Sequence, residues 1–264
     1  MKTFTILGLG WLGHPLSYEL KNKYKIKASV RNDERLASFK DELKKDDIDQ
    51  NNFELYVLNE YNLENLDALL DTDYLFINYP PSKFDDYISF LSKIYSHKKI
   101  NNIEKIFFVS STSIYPDLNE EFHEDYIISK PKRQNVYDCE EFIKNKTNYI
   151  LRASGLMGYN RVAGRYFSGK VVKDSKSIVN FVHRDDVISA VEFILNNKIT
   201  DGIYNLVSPS YPTKEEIYTN NCEKLNIPLP TFTNVITINN RKVNTKKLLE
   251  SGFSYKFNNP LEYM

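Results

Sequence analysis

Short apolar segments alternate with longer amphipathic segments through the first part of the chain. The apolar segments predict strands at residues 4–7, 25–30, 53–58, 73–79, 105–110 and 148–153. The amphipathic segments predict helices after residue 13 and at residues 34–44, 63–70, 84–95 and 132–144. Such alternation is typical of a parallel sheet covered by helices on both faces, so the predicted fold class is α/β.

The first predicted strand leads directly into a glycine-rich loop. Gly8, Gly10 and Gly13 have GxGxxG spacing, which in a dinucleotide-binding loop allows a tight turn, close approach of a pyrophosphate and close packing of the next helix. Pro15 suits the first turn of that helix, and leucines at every fourth position give it an apolar stripe. We therefore predict a Rossmann-type, doubly wound sheet; the alternative is a glycine-rich turn without a ligand.

The end of the second predicted strand bears on the choice of cofactor. An NAD-specific site places an Asp or Glu about 20 residues after the glycines, where it binds the ribose hydroxyls. This chain has Arg31 there, and Asp33 comes two positions later. A guanidinium can pair with the 2′-phosphate of NADP, so the sequence favours NADP over NAD. The alternative is that Arg31 is a solvated loop residue.

The other candidate cofactor contacts follow from the predicted topology. Ligands of such sheets bind beyond the carboxyl ends of the strands, beside the first strand. The glycine loop and the strand tips at this edge are therefore the candidate cofactor-binding residues. They are Gly8, Gly10, Trp11, Leu12, Gly13, Arg31, Tyr79, Pro80, Pro81 and Ser110.

Composition excludes several other classes of protein. The 35 basic and 35 acidic residues cancel, so neither nucleic acid nor an anionic membrane is expected as the principal partner. The chain shows no secretory leader and no apolar run of about 18 residues, which predicts a cytoplasmic protein. Cys139 and Cys222 form no CxxC pair and have no clustered His, so neither a disulfide nor a metal site is expected.

Four ordered motifs carry a resemblance to a known family. FFVSSTSIYP at residues 107–116 resembles the fifth-strand segment of extended short-chain dehydrogenases/reductases, where an active-site Ser or Thr lies four residues before a Tyr. LRASGLMGYNR at 151–161 resembles LRxxGxYGPxR, NFVHRDD at 180–186 resembles xxIHVDD, and YNLVSPSYP at 204–212 resembles YNxxDxxP. The chain resembles in particular the atypical, short nucleotide-sugar epimerase/dehydratase-like branch, whose fourth strand ends in Pro-Pro.

The resemblance implies an architecture and an activity. Residues 1–153 would be mainly the dinucleotide-binding domain, and residues 154–264 a small C-terminal substrate lobe with the final Rossmann elements, in one compact unit. The chain would be an NAD(P)-dependent oxidoreductase or epimerase-like enzyme acting on a polar carbonyl or alcohol, sugar derivatives included. Ser111 would hydrogen-bond the substrate oxygen. A homodimer contact built partly from the helix at residues 132–144 is also implied.

In ordinary members a Tyr and a Lys four residues later, on one helix, transfer the proton. Tyr126 and Lys130 have this spacing, but Pro131 disfavours helical backbone at Lys130. The pair also follows Ser111 too closely for the extended family. We therefore interpret this YxxxK as a chance match.

Tyr137 is the alternative catalytic tyrosine. It lies on the predicted helix at residues 132–144, and its i+4 neighbour is Glu141, whose carboxylate disfavours a nearby phenolate. If Glu140 instead matches the glutamate of the family, the Tyr and Lys positions fall on Lys132 and Val136. In either alignment the Tyr-Lys pair is missing. The alternative interpretation of Tyr137 is an ordinary half-buried aromatic residue.

Candidate substrate contacts lie after the fifth and sixth strands. Ser113 follows Ser111, while Arg161 and Arg165 could hold a diphosphate or carboxylate, with solvated surface as their alternative. His183 is interpreted as a structural or substrate-pocket contact just before a helix. Two functions remain: an NADP-dependent enzyme with Ser111 orienting a small-molecule substrate, or an NADP-binding sensor or partner protein with a degenerate catalytic site.

Overall fold

The computed structural model describes residues 1–233 and 240–264. Strands in the described chain are β1 Thr3–Leu7, β2 Lys25–Val30, β3 Phe53–Val57, β4 Tyr74–Ile77, β5 Lys105–Ser111, β6 Glu121–Phe122, β7 Tyr149–Ala153, β8 Gly155–Met157, β9 Val171–Val172, β10 Phe181–His183, β11 Gly202–Leu206, β12 Thr231–Phe232 and β13 Lys242–Val243. The six predicted strands correspond to β1–β5 and β7.

Helices lie between most of these strands. They are α1 Gly13–Leu20, α2 Asp33–Lys45, α3 Leu66–Leu69, α4 Tyr87–Tyr95, α5 Gln134–Ile143, α6 Ala163–Phe167, α7 Arg184–Asn196, α8 Lys214–Leu225 and α9 Lys246–Glu250. In the described chain, none is long and apolar enough to cross a lipid bilayer.

The main sheet has seven strands in the order β11-β7-β5-β4-β1-β2-β3. Strand β1 pairs in parallel with β2 on one side and β4 on the other, with Leu7 opposite Ser29 and Ile77. The chain therefore reverses its direction of progress across the sheet between β3 and β4. This order confirms the predicted Rossmann-type, doubly wound parallel sheet, and it puts the topological switch point beside β1.

The central strands are buried almost throughout, as expected where helices cover a parallel sheet. In β1 and β2 every position after the first is buried. Lys27 in β2 is 9% exposed, and its ammonium group donates to the carbonyl oxygens of Ala68 at 2.9 Å and Asp71 at 2.7 Å. These bonds satisfy a charge that would otherwise be costly to bury.

The chain forms two compact units whose segments interleave. The first comprises residues 1–109 and 135–150, and the second comprises residues 110–134 and 151–264. Strands β5 and β7 each continue from one unit into the other along the chain. The sequence analysis expected one boundary, at residue 153, with a single stretch of chain on each side of it. In the structure each compact unit is built from two separate stretches.

Two predicted helices begin later than expected. The helix predicted at 63–70 is reduced to Leu66–Leu69. The helix predicted at 84–95 begins at Tyr87, because the Asp86 side chain accepts the amide hydrogen of Ser89 and caps it. A separate 3₁₀ turn, Pro81–Lys83, precedes it. Residues 126–130 lie outside any helix, as Pro131 predicted.

Candidate functional site

The glycine loop between β1 and α1 has the backbone that the motif predicts. Gly8 has φ +104°, which is strained for any residue with a side chain. A Cβ atom on Gly13 would lie 2.2 Å from the carbonyl oxygen of Gly8, so only glycine allows the helix to pack this closely. A Cβ on Gly10 would meet nothing within 4 Å. Gly10 therefore leaves open the space in which a ligand could approach the backbone.

Helix α1 begins directly at this loop. No side chain in the described part of the chain caps the helix at Leu12. The first amide groups of a helix carry partial positive charge and bind anions when no side chain satisfies them. The loop is held from both sides, because the Gly8 amide donates to Ser29 Oγ at 3.2 Å and Asn78 Nδ2 donates to the Gly8 carbonyl at 3.4 Å.

A cleft of about 630 Å³ opens next to the glycine loop within the first unit. The ends of β1, β2, β3 and β4 all contribute to it. Its lining includes Gly8, Gly10, Arg31, Asn59, Tyr79 and Pro80. This volume is typical of a small-molecule or cofactor site. The structure thus brings together five of the ten predicted cofactor-binding residues: Gly8, Gly10, Arg31, Tyr79 and Pro80.

The lining of this cleft is positively charged. Arg31, Arg35 and Lys83 contribute cations, and among the described residues Glu60 contributes the one carboxylate. Arg35 was missed by the sequence reasoning. Its spacing could have indicated its place in the cleft, since it lies four residues after Arg31 and in the first turn of α2. Asp33 also lies in that first turn but is not part of the lining.

The other predicted cofactor residues of the first unit, Trp11, Leu12, Gly13 and Pro81, are not among the lining residues, and Tyr79 contributes to the lining in part. Tyr79 lines it with its ring, but its hydroxyl group points inward, 2.6 Å from Ser29 Oγ and 3.2 Å from the carbonyl oxygen of Leu58. Burial raises the pKa of this phenol above its ordinary value. Leu12 is buried at 3% exposure, and Trp11 is half-buried. Tyr79 therefore supplies an apolar wall to the cleft.

The serines at the end of β5 lie in the second unit. Ser110 is buried, and Ser111 is half-buried. Ser111 Oγ accepts the amide hydrogen of Ser113 at 3.1 Å, which caps the short 3₁₀ helix Thr112–Ile114. This bond orients the Ser111 side chain and uses its oxygen as an acceptor, so the hydroxyl hydrogen is the group it would offer to a substrate oxygen.

Tyr137 lies on α5 within the first unit and is half-buried. The Glu141 carboxylate, one turn further on, pairs with the ammonium group of Lys144. The nearest following lysine is Lys144, which comes directly after the last residue of α5, seven positions after Tyr137, and is engaged with that carboxylate. On α5 the position four residues after Tyr137 is Glu141, so this helix has no lysine at that spacing.

His183 caps α7 from the last position of β10. Its Nδ1 accepts the amide hydrogen of Asp185 at 3.2 Å, and its ring lies 3.8 Å from that of Phe257, centre to centre. Only 2% of the residue is exposed, and burial lowers the pKa of the imidazole. A Cβ on Gly158 would meet His183 Nε2 at 2.4 Å. This environment favours the structural role over substrate contact.

Arg161 and Arg165 lie on the surface of the second unit. Both are exposed. Arg161 closes a tight turn with Gly158, and the two residues exchange backbone hydrogen bonds of 3.0 Å. Arg165 lies on the short helix α6. Their guanidinium groups are therefore accessible to an anionic ligand.

A buried polar network in the second unit was not expected from the sequence. Arg152, 4% exposed, donates to Tyr115 Oη at 2.7 Å and to the carbonyl oxygen of Glu124 at 3.2 Å. Tyr115 Oη is 2.9 Å from Asn205 Oδ1, and Glu124 Oε1 accepts the Asn205 amide hydrogen at 2.9 Å. Burial raises the pKa of both Glu124 and Tyr115, the latter to about 12. These groups bond mainly to one another, which is typical of a structural network.

Comparison with known proteins agrees with this architecture. No family model matches the chain. Protein YeeZ of Escherichia coli K12 is 28% identical over 278 aligned residues, which cover 99% of this chain and 98% of YeeZ. The UDP-N-acetylglucosamine 4-epimerase of Bacillus cereus superimposes with a TM-score of 0.76 at 18% identity, covering 100% of this chain and 96% of the epimerase.

The UDP-glucuronic acid 4-epimerase of Bacillus cereus, in complex with NAD, superimposes with a TM-score of 0.75 at 14% identity, covering 99% of this chain and 96% of that protein. The chain shares the fold of these two epimerases. In a Rossmann-type fold, ligands bind outside the carboxyl ends of the strands at the switch point. The cleft beside the glycine loop lies at the ends of β1 to β4 and meets that expectation.

Proposed function

We propose that the protein is an NADP-dependent oxidoreductase or epimerase-like enzyme that acts on a polar carbonyl or alcohol substrate. The observation that carries the proposal is the cleft in which the glycine loop meets Arg31 and Arg35. Gly10 leaves room for a pyrophosphate, and the start of α1 offers amide hydrogens to it. The guanidinium group of Arg31 at the end of β2, with that of Arg35 in the first turn of α2, favours a 2′-phosphate over free ribose hydroxyls.

The structural relatives support the class of chemistry. They include nucleotide-sugar 4-epimerases, one of them in complex with NAD. When bound, a nicotinamide cofactor would supply the hydride acceptor or donor, and the protein would position the substrate. Ser111 is the candidate residue for orienting the substrate oxygen, and Tyr137 is the candidate acid. Ser113, Arg161 and Arg165 are the candidate substrate contacts, the arginines for an anionic group.

A second function is favoured by one observation, the missing Tyr-Lys pair. Tyr126 and Lys130 lie outside any helix, and Lys144, directly after the end of α5, pairs with a carboxylate. A protein with an intact cofactor cleft and no proton-transfer pair could act as an NADP-binding sensor or partner protein. The two functions differ in turnover and not in cofactor binding.

Cofactor binding is tested by fluorescence titration with NADPH and NADH. We expect tighter binding of NADPH, and Arg31→Ala should weaken NADPH binding by about 10- to 100-fold while changing NADH binding by less than about 2-fold, since a hydrogen bond to a charged group is lost. Lys45→Ala is the matched control, because it removes one exposed cation at the far end of α2. Failure to bind either dinucleotide would contradict both proposed functions.

Turnover then separates the two functions. NADPH oxidation is followed with a panel of aldehydes, ketones and keto-sugars, using the wild type, Ser111→Ala and Tyr137→Phe. If the chain is an enzyme of the proposed kind, each variant should lose about 100-fold or more in turnover while keeping NADPH affinity. Turnover that survives both substitutions would contradict the roles assigned to Ser111 and Tyr137. NADPH binding without turnover of any substrate would favour the sensor.

A further inference from the structure

Arg31 is an exposed residue whose side chain is nevertheless held in place. Its Nη2 donates to the carbonyl oxygen of Lys83 at 2.8 Å. Its guanidinium carbon lies 5.7 Å from the centre of the Phe84 ring, within the range of a cation–π contact. The backbone of Arg31 is held as well, since Asn59 Nδ2 donates to its carbonyl oxygen at 2.9 Å. A long side chain at a strand tip would otherwise sample many rotamers.

The two groups that hold the guanidinium belong to one rigid turn, residues 80–84. Pro80 and Pro81 restrict its backbone, and Pro81 begins the 3₁₀ helix Pro81–Lys83. The Lys83 amide donates to Pro80 at 3.1 Å, and the Phe84 amide donates to Pro81 at 3.2 Å. The Lys83 carbonyl that accepts from Arg31 is therefore fixed by the turn itself.

The Phe84 ring is fixed by three other aromatic rings. Its centre lies 5.4 Å from that of Tyr79, 4.9 Å from that of Tyr87 and 4.7 Å from that of Phe90. Tyr79 and Phe90 also contact each other, with their centres 5.7 Å apart. Because Tyr79, Tyr87 and Phe90 are buried, this cluster anchors Phe84 to the core of the first unit.

We propose that the turn at residues 80–84 is a cofactor-specificity element, in which Phe84 is a positioning residue that holds Arg31 ready for the 2′-phosphate of NADP. This inference rests on the proposed cofactor preference. The cation–π contact with the ring uses no N–H donor of the guanidinium, and the bond to Lys83 uses one of the five, so several donors remain for a phosphate. Holding the side chain before binding reduces the entropy lost on binding.

The alternative is that Arg31 only braces the turn. In that case Phe84 and Arg31 would support the shape of the cleft, and losing either would weaken every adenosine ligand to the same extent. The two views differ in selectivity toward the 2′-phosphate, so the test uses ligands that differ in that group alone.

The experiment measures binding of 2′,5′-ADP and 5′-AMP to the full chain by calorimetry. The proteins are the wild type, Phe84→Leu, Phe84→Tyr, Arg31→Ala and the double variant of Arg31→Ala with Phe84→Leu. Phe84→Leu should weaken 2′,5′-ADP binding by about 3- to 10-fold, the effect of releasing one ordered side chain, and should leave 5′-AMP binding unchanged. Phe84→Tyr keeps the ring and should restore wild-type selectivity.

The double variant decides whether Phe84 acts through Arg31. If it does, Phe84→Leu should cause no further loss of 2′,5′-ADP binding once Arg31 is alanine. Independent losses in the double variant, or equal weakening of both ligands by Phe84→Leu, would overturn the inference alone. A wild type that binds both ligands equally would overturn the NADP preference and the inference with it. A wild-type preference that Phe84→Leu leaves intact would overturn only the inference.

Discussion

Arg31 and Arg152 both lie at or near the end of a strand of the main sheet, but their surroundings are opposite. Arg152, in the second unit, is 4% exposed and bonds to Tyr115 and to the backbone of Glu124. Arg31, in the first unit, is exposed, lines the cleft and keeps several donors available. A polar group that bonds inward contributes to stability, whereas one held at a cleft with donors to spare is available to a ligand.

The largest expected effect is on stability and comes from substituting Arg152, the buried arginine. Arg152→Leu should lower the free energy of unfolding by about 3–5 kcal/mol, because two buried oxygen atoms, Tyr115 Oη and the carbonyl of Glu124, lose the charged group that donates to them, at about 1–3 kcal/mol each. Arg31→Leu is the matched control and should change stability by no more than about 0.5 kcal/mol. Urea unfolding of the two variants measures both. Equal losses of unfolding free energy would contradict the view that Arg152 stabilises the fold and Arg31 does not.

The glycines of the cleft are expected to have an intermediate effect. Gly13→Ala should cost about 1–3 kcal/mol of stability, because its Cβ would lie 2.2 Å from the carbonyl oxygen of Gly8. Gly10→Ala should fold normally, since its Cβ meets nothing within 4 Å, yet should weaken NADPH binding by about 10-fold or more by filling the approach to the backbone. Thermal unfolding and fluorescence titration check the pair. Wild-type NADPH affinity in Gly10→Ala would contradict a pyrophosphate at this loop.

The smallest effect is a pH dependence from His183. Burial lowers the pKa of the folded imidazole, so below about pH 6.5 the unfolded chain takes up a proton that the folded protein does not. The stability due to neutral His183 is therefore present above that pH and lost as the pH falls. His183→Asn keeps a side-chain oxygen to cap α7 but cannot titrate, so the stability gap between wild type and variant should narrow on acidification.

Unfolding at pH 7.5 and pH 5.5 measures this change, which we expect to reach at most about 1 kcal/mol. Asp186 acts in the opposite direction, because burial raises the pKa of its carboxyl to about 6 and its contribution to stability is lost as the pH rises. Both proteins retain Asp186, so the difference between them isolates His183. A gap that stays constant with pH would show that the histidine does not titrate in this range.

Local pattern predicted much of the first unit. The apolar run of β1, the glycines and the leucine stripe of α1 are neighbours in sequence, and their geometry follows from backbone sterics and helical periodicity. The same holds for Tyr126 and Lys130, which lie outside any helix because Pro131 restricts the backbone before it. These features require no information about distant contacts.

The second unit was harder to predict because its polar contacts join residues that are far apart in the chain. The bond from Arg152 to Tyr115 spans 37 positions, and the contact between Tyr115 and Asn205 spans 90. Nothing local marks these residues as partners. His183 was interpreted as either structural or substrate-binding, because burial by Phe257 depends on a segment 74 residues further along the chain.

The sequence alone was sufficient for the parallel α/β fold, the glycine loop, Arg31 at the tip of β2 and the absence of a lysine four residues after Tyr137, because each depends on spacing within one element and its adjoining turn. Folding in three dimensions was needed to bring Arg35, Lys83 and Glu60 to one cleft with the glycines and to place Phe84 against Arg31. Those residues meet because parallel strands end at a common edge of the sheet, which joins segments that the sequence keeps apart.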